Sequence, residues 1–536
     1  MRAPRSSSPI LAAALLLAGA APARGDIDLK FGGLISSDIR YRLFGEPVSS
    51  PYPSQYQLLK FGFSRNENTI KTKLTINVGS RAKAVADVDF VAYGFSDLKD
   101  IDAATLRERV DPYRFEANAA YIDIYQLLPG LDLRLGRQTV VWGAADQFNP
   151  TSNVNTLDLS DALLFGRQLA NNMIRLDWNP KGDWIITGVV VPIFRPAQLP
   201  RSAPFALRQL DRPAPVQEDE VRRQLGDLAL LNPPTEINVF GLQPQPSIDN
   251  VQAALRVAGR ILNQDVSLSY YHGRFGIPTP AVTVNRLGGS TDVGVVWPRM
   301  DVVGADIAGT IDKLGGLGYW IEGAVTFPGQ VDFQLYIDSG NSRTERRLAH
   351  DGSPADNVDV DKNGKYAGVF KHKRATVISN APFFKLTIGA DMSFGQHVYV
   401  NLQYLHGFID EFGAGKDARG RQDVNDPKKA DDPRYGPLLT QRIGDYLVGG
   451  LDLKFFSDAL LLRVFGVIKL PSLDPTSWKL DPYRPTGVLF PQLTWTVWDG
   501  TDLMLGAFIF LGDRSTKFGD PAAGASEVFL KGRFQF

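Results

Sequence analysis

The sequence has no cysteine in 536 residues. That absence removes thiol nucleophiles, disulfides, iron–sulfur and thiolate-zinc centres, and a lipid-modified N-terminal cysteine. Net charge is absent too: 58 lysines and arginines balance 58 aspartates and glutamates. No global field therefore draws nucleic acid or an anionic surface. Histidine is scarce, with five in all, and His350, His372 and His397 show no metal-ligand spacing. His272 and His406 fall near the ends of apolar-alternating segments, without a recognisable nucleophile–base–acid arrangement. Phosphate-binding glycine loops in a strand-to-helix context and basic-aromatic clusters for nucleic acid are missing as well. Beyond the N-terminal segment, no run approaches the roughly 18 apolar residues that a spanning helix needs.

What is present begins with an address. Arg2 and Arg5 precede the apolar run Ile10 to Ala20, followed by Ala21-Pro22-Ala23, the three-part pattern of a secretory signal peptide. We expect residues 1–25 to be removed on export and 26–536 to form the mature chain.

Alternation dominates that chain. Ile70, Leu74, Ile76 and Val78 alternate with Lys71, Lys73, Thr75 and Asn77, and Ala84, Ala86, Val88 and Phe90 alternate with Lys83, Asp87 and Asp89. The same period of two recurs through Leu131–Leu135, Ile174–Trp178, Val251–Val257, Val303–Ile311 and Val398–Tyr404. Segments of about ten residues suit strands that cross a bilayer at a tilt. A soluble sandwich alternates too, so the connections have to decide. Eight tight turns, around Ser80, Pro129-Gly130, Pro180-Lys181-Gly182, Leu262-Asn263, Gly315-Gly316, Gly395, Ser457-Asp458 and Asp499-Gly500, each join two such segments. Long polar stretches, including 196–249, 327–382 and 408–442, lie between the hairpins.

Short turns at one end and long loops at the other are the asymmetry of an outer-membrane barrel. With a first strand at about 26–41 and a last at about 528–536, the expectation is an all-β antiparallel transmembrane barrel of about 18 strands, with 16 to 20 as the range. The segment 58–63 and strands concealed in the long loops are ambiguous. Trp178, Trp184, Phe455, Phe456, Trp495 and Trp498 beside the turns fit an interfacial aromatic girdle.

The terminus points the same way. Val528, Leu530, Gly532, Phe534 and Phe536 alternate with Lys531, Arg533 and Gln535. This resembles the C-terminal segment by which Gram-negative outer-membrane barrels are recognised by the barrel-assembly machinery, with Phe534 and Phe536 as the signal. Physically it is an edge strand that closure on the first strand would satisfy.

Residues Gly136-Arg137-Gln138 and Trp142-Gly143, continuing through Asn149-Pro150 and Leu157-Asp158, resemble the GRQ…WG…NP…LD signature of a family of large, porin-like proteobacterial outer-membrane barrels. Asn155-Thr156 stands where a proline often precedes the Leu-Asp of that signature. The resemblance implies a single barrel. It also implies genomic company with transporters of the resistance-nodulation-division superfamily and a periplasmic shuttle, and so a link to hydrophobic or lipid-like molecules. On residue chemistry alone, the glycines let a strand bend, Trp142 anchors and Asn149-Pro150 turns the chain back, either as plain structure or to constrict the lumen.

The polar face of the alternation supplies candidate lumen residues: Lys71, Lys73, Asp87, Asp89, Arg114, Glu116, Arg134, Arg175, Asp177, Arg256, Arg260, Asp306, Glu322, Asp391, Arg463 and Arg533, with Asp132, Lys385, Asp452, Lys454 and Lys531 on the same face. Mixed signs on neighbouring strands should pair laterally and leave a polar wall that mildly favours anions. In 196–249, Val221, Leu225 and Leu228 fall at helical spacing beside Glu218, Glu220, Arg222 and Arg223, a short amphipathic helix in a surface loop or a plug. Asp359, Asp361 and Asn363 with Gly364 match the first half of a calcium loop, but Phe370 stands where the bidentate Glu belongs. A turn is therefore the better reading, with no metal and no cofactor expected.

These observations point to an outer-membrane channel passing solutes through a polar lumen narrowed by inward-folded loops, without enzymatic activity. The alternatives are an export component working with an inner-membrane transporter, and a surface adhesin or receptor using the long loops. Outer-membrane lipids and the assembly machinery are the expected partners, with an inner-membrane transporter and a periplasmic shuttle on the export reading, and no nucleic acid.

Overall fold

The computed structural model describes residues 26–45, 61–98, 100–161, 166–180, 182–200, 202–203, 236–286, 290–338, 369–371, 375–378, 380–413, 443–471, 485–513, 516–521 and 523–536. The signal segment 1–25, the helix expected within 216–231 and the calcium-loop residues Asp359, Asp361 and Asn363 lie outside the described residues.

The chain is almost entirely strand. In order these are β1 (Ile27–Arg42), β2 (Gly62–Val78), β3 (Ala82–Tyr93), β4 (Tyr113–Leu128), β5 (Leu131–Gln138), β6 (Asn171–Trp178), β7 (Ile185–Val191) and β8 (Glu236–Gly241). Next come β9 (Gln252–Ile261), β10 (Gln264–Arg274), β11 (Thr279–Arg286), β12 (Ser290–Val296), β13 (Arg299–Ile311), β14 (Leu317–Pro328), β15 (Val331–Asp338) and β16 (Val369–Lys371). The series ends with β17 (Ala375–Ile378), β18 (Phe383–Phe394), β19 (Val398–His406), β20 (Asp445–Phe455), β21 (Leu460–Leu470), β22 (Gly487–Trp498), β23 (Thr501–Leu511) and β24 (Glu527–Gln535).

Eighteen of these form one sheet in which each strand pairs antiparallel with its neighbours in the chain, and β24 returns to β1. The wall is closed, so neither terminal strand is left as an unpaired edge. Past the strand itself, Phe536 exchanges two backbone hydrogen bonds with Gly33, at 2.9 and 3.1 Å. The other six strands, β8, β11, β12 and β15–β17, form a separate sheet built from the long loops. These are the strands the loops conceal, and β2 absorbs only the end of the ambiguous 58–63 segment.

All eight tight turns fall where the sequence places them, and the long connections gather at the opposite end. Backbone sterics explain two of them. Leu262 and Asn263 both take positive φ, 51° and 63°, the geometry of the two-residue hairpin that matches strand twist. Gly130 has φ of 74°, and a Cβ there would stand 2.5 Å from the Asn179 carbonyl oxygen, so the β4–β5 turn needs glycine.

The wall has two chemically distinct faces. On β1, Ile35 and Ile39 are 48% and 40% exposed, whereas the intervening Ser36, Asp38 and Arg40 are buried. The same contrast sets Leu268 against Ser267 and Ser269, and Leu402 against Asn401 and Gln403. An apolar outer band with a polar interior is the reverse of a soluble core and the requirement of a wall in hydrocarbon. Trp178, Trp184, Phe455, Phe456, Trp495 and Trp498 are exposed beside the short turns, as a girdle requires. Among the described residues no helix is long and apolar enough to cross a membrane; the crossing is made by strands.

Candidate functional site: a segment held across the barrel

The end of β5 and the connection from β5 to β6, residues 139–170, hold the residues Gly136 to Asp158 singled out in the sequence, and polar contacts account for several of them. Asn155 closes its base: Oδ1 accepts from the Val140 N–H at 2.8 Å, while Nδ2 donates to the carbonyls of Leu169 (2.7 Å) and Gln138 (3.2 Å). Trp142 is buried, and its N–H donates to Ser152 Oγ at 3.2 Å. Gly136 takes φ of 126° and Gly143 94°. A Cβ at Gly136 would meet the Ala120 carbonyl, and one at Gly143 would overlap the Glu322 carboxylate. Both positions therefore demand glycine on conformation and on space. Arg137 Nε donates to the Ala117 carbonyl oxygen at 2.5 Å, and Gln138 Nε2 donates to the Met173 carbonyl at 3.2 Å.

Glu322 is where this segment is fixed. Its carboxylate accepts from five donors: the N–H groups of Ala144 (3.0 Å), Ala145 (2.9 Å) and Thr151 (2.9 Å), Thr151 Oγ1 (2.7 Å) and Asn149 Nδ2 (3.0 Å). A buried carboxylate is tolerable when its lone pairs are filled in this way. Glu322 corrects the sequence expectation. It stands on the polar face of β14 as expected, but it is fully covered rather than lining open lumen.

The segment has further attachments. Thr387 Oγ1 of β18 donates to the Phe148 carbonyl at 2.7 Å, and Gln403 Nε2 of β19 donates to the Asp146 carbonyl at 3.1 Å. β19 lies eight strands from β5 around the eighteen-strand ring, close to diametrically opposite. The far end of the segment is tied back to β1: Asp161 accepts from Arg40 Nη1 and Nη2 at 2.7 and 2.8 Å, and it lies 3.2 Å from Arg65 of β2. Arg40 is also bidentate to Asp38.

The other expected lumen residues form local pairs. Lys71 lies 3.2 Å from Asp87, Arg175 2.8 Å from Asp177, Arg256 3.8 Å from Asp306, Arg260 3.1 Å from Asp265 and Arg463 2.5 Å from Asp452. Arg134 is bidentate to Asp123, and Arg533 pairs with Asp502. Lys454 lies 3.6 Å from Asp458, and Lys531 3.9 Å from Asp38. Asp391 accepts from Tyr399 OH at 2.8 Å, Asp132 from the Gln126 N–H at 2.7 Å, and Lys385 donates to the Phe408 carbonyl at 2.8 Å. Lys73 stands opposite Asp87 in the strand register, and one oxygen of Asp89 is buried without a hydrogen-bond partner. Arg114, Arg167 and Arg195 surround Glu116 at 3.9, 3.6 and 3.7 Å, with Arg167 also 3.6 Å from Asp158. Asp89 stands opposite Glu116 in the register and Arg137 lies close enough to act on Arg195, so four guanidinium groups against three carboxylates leave that region positive.

Two features were not singled out in the sequence. One is a clasp between the loops after β19 and β23. Glu411 accepts from the N–H groups of Phe408 (2.8 Å) and Gly444 (3.0 Å), from Tyr446 OH and from Lys517 Nζ (3.1 Å), while Lys517 also reaches Asp410 at 2.7 Å. Burial alone would raise the Glu411 carboxyl, but the Lys517 ammonium and the surrounding donors carry it down to about 2. Lys517 is held well above the usual lysine range by Asp410 and Glu411 despite its burial. The other is a partly open cleft of about 90 Å³ between the 147–157 stretch, the residues after β10 and the loop after β19, lined in part by Phe148, Phe275, Phe383, Lys385, Phe408 and Phe412. Phe275 stacks on Phe412 at 4.5 Å. Among the described residues, no group of three or more His, Asp or Glu side chains is placed to hold a metal ion.

No family model matches the chain, and no curated protein matches it. Solved structures do resemble it. Acinetobacter baumannii OccAB1 aligns over 95% of this chain and 96% of its own at 10% identity, with a TM-score of 0.45. The outer membrane protein OprD from Pseudomonas aeruginosa aligns over 96% of each chain at 8% identity, with a TM-score of 0.42. OmpT, an outer membrane protein of Vibrio cholerae, aligns over 96% of this chain and 100% of its own at 8% identity, with a TM-score of 0.37. These are likenesses of fold. The closed wall, its apolar outer band and its sorted connections make this chain an 18-stranded β-barrel of the outer membrane.

Proposed function

We propose that the barrel is a channel for polar solutes and that segment 139–170 narrows its lumen. The observation carrying this reading is the Glu322 carboxylate, which accepts five hydrogen bonds from residues 144–151 on the inward face of a strand six places around the ring from β5. A barrel this wide leaves an aqueous lumen unless something fills it. A loop fixed to β14, β18 and β19 on one side and to β1 and β2 on the other divides that space. Solutes would pass the remaining opening by diffusion, beside walls whose charges are largely paired and so give little selectivity. The net positive group around Glu116 supplies a mild preference for anions.

The test is single-channel recording of refolded mature protein in a planar bilayer, with reversal potentials in a salt gradient. A small, steady, weakly anion-favouring conductance supports the proposal. A barrel silent under all voltages, or one with the large conductance of an unobstructed ring, overturns it.

A further inference from the structure

The outward face of the wall carries a polar constellation that a surface facing hydrocarbon does not need. On β10, Tyr270 and His272 share the face of Leu268, which is 59% exposed. Opposite His272 in the register is Asp301 of β13. Asp301 Oδ1 accepts from Tyr270 OH at 2.6 Å and lies 2.8 Å from His272 Nδ1. These groups sit at the loop end of the strands, where the apolar band gives way to water.

Cations gather beside them. Arg299, two residues before Asp301 on the same face, is exposed and donates from Nη2 to Asn250 Oδ1 at 3.2 Å. It has no carboxylate within ion-pair distance among the described residues. Arg274, opposite Arg299 in the register and buried, donates to the same Asn250 oxygen at 2.7 Å and to the Trp297 carbonyl at 2.8 Å. In the strand register Ala253 of β9 stands across from His272, Leu255 across from Tyr270, and Phe327 of β14 across from Asp301. Below the polar group runs an apolar strip, with Leu268, Val303 and Phe327 exposed.

We propose that this rim site binds the phosphate of an outer-leaflet lipid headgroup, with Arg299 as the principal cation and His272 beside it, while Tyr270, whose hydroxyl proton goes to Asp301, fixes that carboxylate. Asp301 orients the imidazole through Nδ1 and leaves Nε2 facing the headgroup. The exposed strip beneath accepts an acyl chain, which a free phosphate ion lacks. That combination of cation above and apolar surface below is the reason for choosing a lipid over a soluble anion.

The wall contains its own comparison. Tyr404, His406 and Asp445 repeat the geometry on β19 and β20: Asp445 Oδ1 accepts from Tyr404 OH at 2.6 Å and lies 2.9 Å from His406 Nδ1. Phe384, Leu386 and Leu470 surround this copy, with no lysine or arginine on the outward face beside it among the described residues. It should bind phosphate far less well.

The experiment is native mass spectrometry of the full mature barrel released from nanodiscs containing diphosphoryl lipid A, with its enzymatically dephosphorylated form as the second probe. Folding of each variant is checked by heat-modifiable gel migration. Wild type should retain diphosphoryl lipid A, and Arg299→Gln should retain it roughly tenfold less, the loss of one charge-assisted hydrogen bond. His272→Gln should weaken retention to a smaller extent, and His406→Gln should leave it near wild type. Equal retention of dephosphorylated lipid, unchanged retention in the Arg299→Gln, His272→Gln double variant, or an equal loss in His406→Gln would each overturn the proposal. So would displacement of the lipid by inorganic phosphate, which would make the site one for a soluble anion.

Discussion

Replacing Glu322 with alanine removes the single acceptor shared by five donors in residues 144–151. A hydrogen bond to a charged group contributes about 1.5–3 kcal/mol, but bonds sharing one partner do not add. The released N–H groups can also rehydrate once the segment swings into the water-filled lumen. A net loss of about 3–5 kcal/mol in the held arrangement is the expected scale for a buried charge stripped from its partners. At 1.4 kcal/mol per decade, the ratio of held to displaced segment falls by roughly two to four powers of ten. The barrel itself should survive, because its closure rests on strand pairing rather than on this carboxylate. In planar bilayers, Glu322→Ala should therefore show a larger mean conductance and frequent transitions between levels, with unchanged heat-modifiable migration. A variant with wild-type conductance and quiet traces would refute the argument that Glu322 positions the segment. An unfolded variant would show instead that the loop is integral to the barrel, and Gly143→Ala, whose Cβ overlaps the same carboxylate, would then serve as the milder perturbation of the same contact.

Other predictions follow from the same geometry. Arg40→Met strips Asp38 and Asp161 of the guanidinium they share, leaving Lys531 3.9 Å from Asp38 and Arg65 3.2 Å from Asp161 as weaker partners, which should destabilise the barrel by about 1.5–3 kcal/mol, the scale of hydrogen bonds to a charged group, read as a lower temperature of heat modification; loss of under 1 kcal/mol would count against a central role. The Glu411 carboxyl, depressed to about 2 from an ordinary 4.5, stabilises the clasp above pH 4.5, and this contribution is lost as pH falls from 4.5 through about 2. Hydrogen exchange in 407–413 and 516–521 should accordingly be flat from pH 7 to 5 after correction for intrinsic rates and rise below 4.5, whereas Glu411→Gln should show raised exchange throughout. Neutralising Arg167 and Arg195 together should move the reversal potential towards cation preference, and no shift would remove the Glu116 region from the selectivity argument. Deleting Phe536 removes two backbone hydrogen bonds to Gly33 and a ring contact with Phe31 at 6.0 Å; refolding yield should fall, and an unchanged yield would show that β24 closes without its last residue.

The fold was legible because each feature that defines it is local. Alternation along a strand depends on residues two apart, and the Leu262-Asn263 and Pro129-Gly130 turns declare themselves in two residues. Counting hairpins then gives the number of strands, and the sorting of short and long connections gives the membrane. Lateral pairing of wall charges was equally accessible, since neighbouring strands joined by a tight turn have a fixed register: Lys71 with Asp87, or Arg463 with Asp452. The six strands within the loops were not, because the parallel pairings that join them into one sheet, β11 with β15 and β12 with β8, link different loops and leave no local signal.

The site was half visible. The glycines, Trp142 and Asn149-Pro150 mark an unusual segment, but nothing within those residues names Glu322, which lies more than 170 positions away. Glu322 reads locally as one more polar residue on an alternating strand. Likewise Arg40 and Asp161 meet across 121 positions, and Glu411 and Lys517 across 106. Sequence by itself determined the strands of the wall, their order and the membrane that the barrel occupies, since all three follow from short-range periodicity and chain connectivity. Only the tertiary structure decided which carboxylate holds the inward segment, which loops clasp one another and where two arginines share one acceptor, because ring closure alone brings those strands and loops within reach.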